Sequence, residues 1–468
     1  VEKVVVKHNK KRAGAKHVIK EMFTGDCVAH LQHALLACLG DNYTLIKTCT
    51  SMEMRIFMFV HNDHTHAVVD VEAGKENTGL FKIVGNKGGQ AIKFGIYGTE
   101  MCFLNAHLAA HIGDKYLARR NESVVEILQG IDVGNYNIDI DSQFPYTFFM
   151  GDLNYRTDIR SIPEYKNDLD NDWAAKEPAW LKLWETSDVS LSKDVLAVWE
   201  DKGSLFRAEW EIVRGLVADL DKSPKQREAA LQKLHDADQL ISAMNNNEVF
   251  VGWNSCVPQF KPTFKVLRPP DVRVSVDHPL DYLEKRIPSY CDRVLWKTFP
   301  GAKNLIAQTS FEACDDFLTS DHKPVRASFK IDIDHGRTRG ATAKTKDMLE
   351  FKFFNLQAKL IKPEKSAKDI PDAYVELDTW PEDLLIGKTM KTRTMWNTYR
   401  PVWKNETIIT KVAEQAINEC STPHIIICVR DKNHVTTRSS IGFCSIDLKA
   451  LQSHANSADT TYKFELAI

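Results

Sequence analysis

The chain has 468 residues and a formal net charge of −2 at pH 7, with 43% hydrophobic and 26% charged residues. This length exceeds what one hydrophobic core usually organises, so two domains are expected. The balanced charge excludes a basic field over the whole molecule, which disfavours a dedicated nucleic-acid binder but is compatible with a local basic pocket. Ten cysteines without a CxxC pair favour free thiols over a disulfide framework or a zinc site.

The start of the chain, Val1–Arg12, has no initiator methionine and no signal-peptide pattern. We therefore expect a fragment of a longer protein whose targeting information lies elsewhere. The apolar runs, such as His424–Val429, are strand-sized and fall short of the ~20 residues of a membrane-spanning helix. Together with the unpaired cysteines, these features predict a cytoplasmic protein.

Up to about residue 333, short β-rich runs alternate with helical stretches. The helical stretches include Cys27–Leu39 and Asn121–Leu128. The strand-like runs are, in chain order, Val4–Val6, Tyr43–Thr48, Arg55–Val60, Ala67–Val71, Gln90–Tyr97, Met101–Leu104, Tyr146–Met150 and Val325–Ile331. Strand-dense sequence with interspersed helices predicts an α/β sandwich of two mixed sheets.

A helical insertion is predicted between about residues 160 and 245. Its segment Lys222–His235 has a serine for the N-cap, a proline at the first helical position and spaced leucines. The basic, glycine-bearing residues 334–346 are typical of a linker. Beyond them, residues 347–468 predict an all-β sandwich with strands at Leu349–Leu360, Ala373–Asp378, Thr407–Val412, His424–Val429, Ile441–Leu448 and Tyr462–Leu466.

Three short polar motifs, far apart in the sequence, lie at the ends of predicted strands. Asn105–His107 and Gly151–Asn154 each follow an apolar run, and Ser320–His322 precedes another. Polar groups at strand ends can converge on one edge of a sheet. These motifs contain carboxylates, imidazoles and carboxamides, but no paired nucleophile and base. This inventory favours metal-assisted attack by water over a covalent intermediate.

Residues 1–333 resemble the catalytic domain of the inositol polyphosphate 5-phosphatases, a branch of the DNase I-like, Mg²⁺-dependent phosphoesterases. Six motifs occur in the family's order: Gly85–Gly89, Asn105–His111, Arg119–Asn121, Gly151–Arg156, Cys291–Trp296 and Ser320–Pro324. Each motif is short, whereas six in order are specific. The resemblance implies an N-terminally shortened four-layer α/β/β/α sandwich, nearest to the branch that carries phosphotyrosine-binding SH2 modules.

The resemblance also assigns catalytic roles. Asp152 is expected to be the general base for the attacking water, and Asn154 to hold that water or the phosphate. His322, oriented by Asp292, is expected to hydrogen-bond the scissile phosphate, which His107 contacts from the opposite side. An imidazole paired with a carboxylate is a common device for stabilising developing negative charge.

The family's metal is Mg²⁺, which prefers oxygen ligands and retains water and substrate phosphate in its coordination shell. The predicted ligands are Glu21, Asn9 and Asp321. The family's Trp-Asn and Gln-Glu pairs are here His8-Asn9 and Lys20-Glu21. The short spacing between Asn9 and Glu21 also departs from relatives, which have a longer loop and helix there.

Cations and amides in loops are expected to bind the substrate's phosphates. The predicted substrate-binding residues are Lys87, Arg293, Lys265 and Asn86. Phe264 stands where the family has a tyrosine, so a hydroxyl that can reach the neighbouring 4-phosphate is lost. We expect a weaker hold on that phosphate with the chemistry retained.

Residues 347–468 resemble the C2-like domain that follows the phosphatase in the same branch. The matching positions are Asn397, Pro401, Trp403, Glu406 and Ser440–Gly442. Calcium-binding C2 domains need several aspartates on two loops, and this region offers Asp378 and Asp431 with Asn433. We therefore predict a calcium-independent domain that binds lipid or stiffens the catalytic domain. The alternative is a sandwich with no ligand of its own.

These resemblances imply hydrolysis of the 5-phosphate from phosphoinositides, PI(3,4,5)P3 or PI(4,5)P2, or from soluble inositol polyphosphates. The expected location is the inner face of membranes, and no nucleic-acid partner is expected. One alternative is a catalytically impaired phosphoinositide-binding or scaffolding module, suggested by His8, Lys20 and Phe264. Another is a nuclease or sphingomyelin-type esterase of the same fold. The motifs that contain Lys87 and Lys265, together with the net charge, disfavour this alternative.

Overall fold

The computed structural model describes residues 25–51, 53–78, 87–135, 138–162, 209–210, 212–268, 282, 286–333, 348–360, 370–385, 390–432 and 440–453. The predicted strands Val4–Val6 and Tyr462–Leu466 and the predicted linker lie outside the described residues. No helix in these ranges is long and apolar enough to cross a membrane.

The N-terminal region is built around a six-stranded sheet that follows an antiparallel hairpin of β1 (Tyr43–Ser51) and β2 (Met54–His61). The sheet has the strand order β3-β4-β5-β6-β8-β7. Its strands are β3 (Val68–Asn77), β4 (Gly88–Ile96), β5 (Thr99–His107), β6 (Tyr146–Asp152), β7 (Asn254–Ser255) and β8 (Asp292–Thr298). Strands β5 and β6 are parallel, and the other neighbours are antiparallel.

Both faces of this sheet are covered. Along β5, Cys102 and Leu104 join one apolar core, while Met101 and Phe103 join a second core on the opposite face. This division follows from the two-residue period of a strand. The sheet is therefore buried on both sides, which requires a layer on each.

The helices are α1 (Gly25–Leu39), α2 (Asp114–Gly130), α3 (Pro224–Asp236) and α4 (Gln239–Asn245). Helices α2 and α4 cover one face of the sheet, through residues such as Ile127 and Leu240. The β1–β2 hairpin and a second hairpin, β9 (Ile306–Ala313) with β10 (Val325–Ile331), cover the other face. Helix α1 contacts β1. These layers confirm the predicted α/β/β/α arrangement.

The described part of the predicted insertion is helical. Residues 212–219 form a helix that shares a separate apolar core with α3. Ser223 occupies the predicted N-cap of α3 and Pro224 its first position. The Ser223 hydroxyl, however, donates to the side chain of Gln226 at 2.7 Å and makes no hydrogen bond with the helix backbone.

The C-terminal region is an all-β sandwich, as predicted. A pair formed by β11 (Met348–Gln357) and β14 (Val402–Ala413) faces a sheet of order β13-β12-β15-β16. The sheet comprises β12 (Ala373–Trp380), β13 (Met390–Lys391), β15 (His424–Asp431) and β16 (Ser440–Asp447). Short helices α5 (Glu414–Glu419) and α6 (Leu448–Ser453) close one end, and the fully buried Trp403 lies in the core.

The sandwich packs directly against the N-terminal region. Trp380 is buried in the same apolar core as β4, β5 and β6, with its ring centroid 5.8 Å from that of Phe299. Its indole nitrogen donates to Glu100 Oε2 at 3.1 Å. Burial raises the pKa of Glu100. His424 adds a polar contact, since its Nε2 accepts from the backbone nitrogen of Gly301 at 3.2 Å.

Candidate active site

The register of the central sheet places three predicted catalytic residues side by side. His107 ends β5 and pairs with Asp152, which ends β6, and Asp152 pairs in turn with Asp292 at the start of β8. Gly88, the first residue of β4, lies on the other side of His107. The strand ends therefore converge on one edge of the sheet, as the sequence predicts.

His322 reaches this edge from the loop before β10. Its Nδ1 lies 2.9 Å from Asp292 Oδ2, which also accepts a hydrogen bond of 2.7 Å from the Thr263 hydroxyl. Burial opposes the charged imidazole, but Asp292, Asp152 and Asp321 outweigh it, so the pKa of His322 is raised. Because Asp292 accepts at Nδ1, the opposite nitrogen, Nε2, faces the site, 3.9 Å from Asp152 Oδ2. The predicted pairing of His322 with Asp292 is therefore present, while its role in binding phosphate stays a prediction.

Asp152 is the centre of the cluster. Its Oδ2 lies 3.2 Å from His107 Nε2. Burial opposes the carboxylate, but the hydrogen bond with His107 and the charges of His322 and Arg156 outweigh burial and lower the pKa of Asp152. Asp152 is therefore an anion at neutral pH and is available to accept a proton.

Lys87 also contacts His107, since its ammonium donates to His107 Nε2. One ring nitrogen cannot accept from Lys87 and donate to Asp152 at the same time. With a proton, Nε2 can donate to Asp152; without one, it can accept from Lys87. Burial, together with the charge of Arg156, lowers the pKa of Lys87 to about 8.

Gly151 allows the strands beneath the site to approach each other. Its φ is +132°, and a Cβ there would lie 2.1 Å from the carbonyl oxygen of Ala106. Asn154, three residues later, has a φ of +57°, a conformation that asparagine adopts more readily than most residues. The Asn154 amide nitrogen donates to the Leu108 carbonyl at 3.1 Å, which fixes the turn after β6.

A pocket of about 230 Å³ opens beside these residues. His322 adjoins the pocket, because its ring centroid is 4.6 Å from that of Phe264. The lining includes Lys87, His107, His111, Asp152, Asn154, Arg156, Phe264, Lys265 and Arg286. Two histidines and four cationic side chains thus line one cleft.

His111, Arg156 and Arg286 line the pocket but are not predicted as site residues. Burial, and then the charges of Arg286 and Arg156, lower the pKa of His111. Burial, and then Arg156, lower the pKa of Arg286 to about 10. Arg156 lies within the Gly151–Arg156 motif, so its position two residues after Asn154 is the signal that identifies it.

The placement of Arg293 contradicts its prediction as a substrate-binding residue. Arg293 is fully buried and donates to Asp238, the N-cap residue of α4, and to Ser255 at 3.2 Å, so no substrate phosphate reaches it. Asp321 accepts a hydrogen bond of 2.6 Å from Lys265 and is not a member of the acidic cluster below. Its carboxylate thus holds a cation of the pocket, and its predicted role near the metal stays a prediction.

The described residues contain one group with metal-binding chemistry. Ligand atoms of Asp152, Asp292 and His322 all lie within 4.8 Å of one another. Two carboxylates fit a hard divalent cation, although Asp292 already bonds Thr263 and His322. Further oxygen ligands are therefore required. The predicted ligands Glu21 and Asn9, and the predicted substrate residue Asn86, lie outside the described residues.

The sequence matches two known protein families and is similar to curated proteins. The sequence profile of the Endonuclease/Exonuclease/phosphatase family 2 matches residues 4–207 and 213–328, and that of the C2 domain matches residues 351–463. The chain is 24% identical over 419 residues to phosphatidylinositol 3,4,5-trisphosphate 5-phosphatase 2A of Danio rerio. That match covers 87% of this chain but 28% of the relative. The chain therefore spans less than a third of the relative's length.

Two solved structures are also similar. The inositol polyphosphate 5-phosphatase domain of SpSynaptojanin, in complex with inositol (1,4)-bisphosphate and calcium ion, aligns with a TM-score of 0.40 and 20% identity, covering 66% of this chain and 69% of that one. A Cimex nitrophorin aligns with a TM-score of 0.41 and 18% identity, covering 66% and 80%. Since the family profile spans more than half of the residues, the chain belongs to the Endonuclease/Exonuclease/phosphatase family 2.

Proposed function

We propose that this chain is a Mg²⁺-dependent phosphatase that removes the 5-phosphate from phosphoinositides or soluble inositol polyphosphates. The observation that carries the proposal is the row formed by His107, Asp152 and Asp292 across three strand ends, with His322 held over it. Within this proposal, residues 1–333 are the catalytic domain, residues 334–346 a linker and residues 347–468 a C2-like domain.

Asp152, Asp292 and His322 have separate roles in the hydrolysis. Asp152 takes a proton from the water whose oxygen attacks phosphorus. His322 donates a hydrogen bond from Nε2 to a phosphate oxygen, where negative charge grows as the bond to the inositol oxygen breaks. Asp292 holds the proton on Nδ1 of His322 and favours the charged imidazole. A proton from solvent goes to the leaving ring oxygen, so the products are inorganic phosphate and a free ring hydroxyl.

A divalent cation completes this chemistry. Glu21, Asn9 and Asp321 are proposed to supply its protein ligands, and Asp152 belongs to the group of side chains with metal-binding chemistry beside the pocket. When bound, Mg²⁺ would neutralise charge on the phosphate and polarise the attacking water.

The pocket's cations account for an anionic substrate. Lys87, Arg156, Lys265 and Arg286 line the same cleft, and a polyphosphorylated ring supplies several negative groups for them. Phosphoinositides expose this ring at a membrane surface, so we propose that the protein works at the cytoplasmic face of membranes. Calcium-independent lipid contact by the C2-like domain is consistent with that location.

Phosphate release from a panel of 5-phosphorylated inositol lipids and soluble inositol phosphates, measured with malachite green, tests the proposal. We expect release with Mg²⁺, none after chelation, and a loss of about 10²- to 10⁴-fold in Asp152→Asn, the range of general acid–base catalysis. Asp114→Asn, an exposed aspartate at the start of α2, serves as the control.

Two outcomes count against the proposed function. Absence of release from every 5-phosphorylated substrate would refute it. Binding of inositol phosphates without hydrolysis, unaffected by Asp152→Asn, would instead identify the chain as a phosphoinositide-binding module of the same fold.

A further inference from the structure

Arg120 carries a fully buried guanidinium directly behind the pocket. From helix α2, its NH1 donates to the carbonyl oxygens of Ala109 at 3.3 Å and His111 at 3.0 Å. Its NH2 donates to Gln239 Oε1 at 2.8 Å. Within the described ranges, no aspartate or glutamate forms an ion pair with this guanidinium. All of its hydrogen-bond acceptors are neutral.

A buried cation with neutral partners is costly, because each acceptor replaces only part of the hydration that the charge has lost. Burial, followed by the charge of nearby Arg156, lowers the pKa of Arg120 to about 10, so it remains a cation at neutral pH. Ionisable groups with strongly shifted pKa values cluster at functional sites. The nearest function is the pocket, since His111 and Arg156 both line it.

The same guanidinium is linked to the pocket wall through one oxygen. Gln239 Oε1, at the start of α4, accepts from Arg120 NH2 and also from the backbone nitrogen of Arg156 at 3.0 Å. Arg156 in turn donates through Nε to the backbone oxygen of Asn154 at 3.1 Å. Arg120 therefore holds both the backbone from Ala109 to His111 and, through Gln239, the backbone that carries Arg156.

We propose that Arg120 is a positioning residue for substrate binding: it holds the cationic wall formed by His111 and Arg156, and its unpaired charge is complemented by the phosphates of the bound ligand. This inference rests on the proposed function and assigns a role to the Arg119–Asn121 motif. Arg119, by contrast, pairs with Glu122 and Glu126 on the helix surface.

The variant Gln239→Glu separates charge from architecture. A glutamate keeps the shape and the acceptor for Arg120 and Arg156, and a negative charge in the first turn of α4 is favourable for the helix. The carboxylate would, however, neutralise Arg120. We expect KM for inositol 1,4,5-trisphosphate to rise roughly tenfold, the scale of one added charge near a partly buried site, with kcat changed less than about threefold. The melting temperature should be unchanged or higher.

The matched control is Gln226→Glu, which adds the same charge to the first turn of α3 at an exposed position. It should alter neither KM nor kcat. Binding of inositol 1,4,5-trisphosphate, measured by calorimetry in an Asp152→Asn background, reports the same affinity change without turnover. This readout holds even if wild-type protein releases no phosphate, so the failure of the proposed function and the failure of this inference remain distinct.

Two results would overturn the inference. Unchanged KM and dissociation constant in folded Gln239→Glu would mean that Arg120 does not act on the ligand. A lower melting temperature would contradict the unpaired charge, because a carboxylate beside an uncompensated guanidinium should stabilise the fold.

Discussion

Replacing Asp292 by asparagine tests the core of the proposed chemistry. The side chain keeps its shape, so Thr263 can still hydrogen-bond it, but the charge that faces His322 Nδ1 at 2.9 Å is lost. Without that charge the pKa of His322 falls from its raised value, because burial alone favours the neutral imidazole. The variant should therefore hold less of the charged form that stabilises a phosphate oxygen.

The size of the effect follows from the interaction removed. Hydrogen bonds to charged groups contribute about 1.5–3 kcal/mol, and each 1.36 kcal/mol in the barrier changes a rate tenfold. We expect kcat to fall roughly 10- to 150-fold, with little change in KM. The sign for pH is also fixed: a lower pKa means that activity is lost at a lower pH as the solution is made more basic.

The assay is phosphate release over a pH series at several Mg²⁺ concentrations. Thr263→Val is the matched control, since it removes a neutral 2.7 Å hydrogen bond to Asp292 and keeps the carboxylate, so its loss should be smaller. Activity of Asp292→Asn that is restored by raising Mg²⁺ would identify Asp292 as a metal ligand and refute its role as the partner of His322. An unmoved basic limb of the pH profile would refute it as well.

Two further substitutions probe substrate binding and the strand junction. Phe264→Tyr restores the hydroxyl expected from the family and should lower KM for substrates with a 4-phosphate relative to those without one; equal effects on both would contradict the expected contact. Gly151→Ala places a Cβ 2.1 Å from the Ala106 carbonyl oxygen at a φ of +132°. Backbone strain of this kind costs about 1–3 kcal/mol, so chemical denaturation should show at least that loss, and an unaltered stability would show that β5 and β6 can separate without cost.

Much of the site could be predicted from the sequence because short polar motifs lie at the ends of apolar, strand-like runs. Asp152 follows an apolar run that ends one strand, and His107 follows another, so a shared sheet edge was a sound expectation. The strand β9 is not predicted, since half of its residues are polar, half are exposed, and its pattern resembles a loop. Local patterns identify elements best where a face is buried.

Electrostatic partners could not be predicted in the same way. Arg293 follows Asp292 directly, but successive side chains of a strand point to opposite faces. Its guanidinium therefore enters the core and meets Asp238, which is 55 residues away in the sequence. Arg286 likewise lines the pocket, and no local sequence pattern places it there. Such pairings depend on long-range packing and become visible only in the folded chain.

The junction around Trp380 affects how variants of the C-terminal region should be interpreted. Its indole belongs to the apolar core that supports β5 and β6, whose far ends carry His107 and Asp152. Replacing Trp380 by a smaller residue would leave a cavity beneath those strands. The resulting shift of β5 and β6 would displace the catalytic residues without any change in lipid binding. Reduced turnover in such a variant is therefore no measure of lipid affinity, and only substitutions remote from this junction can assign a binding role to the sandwich.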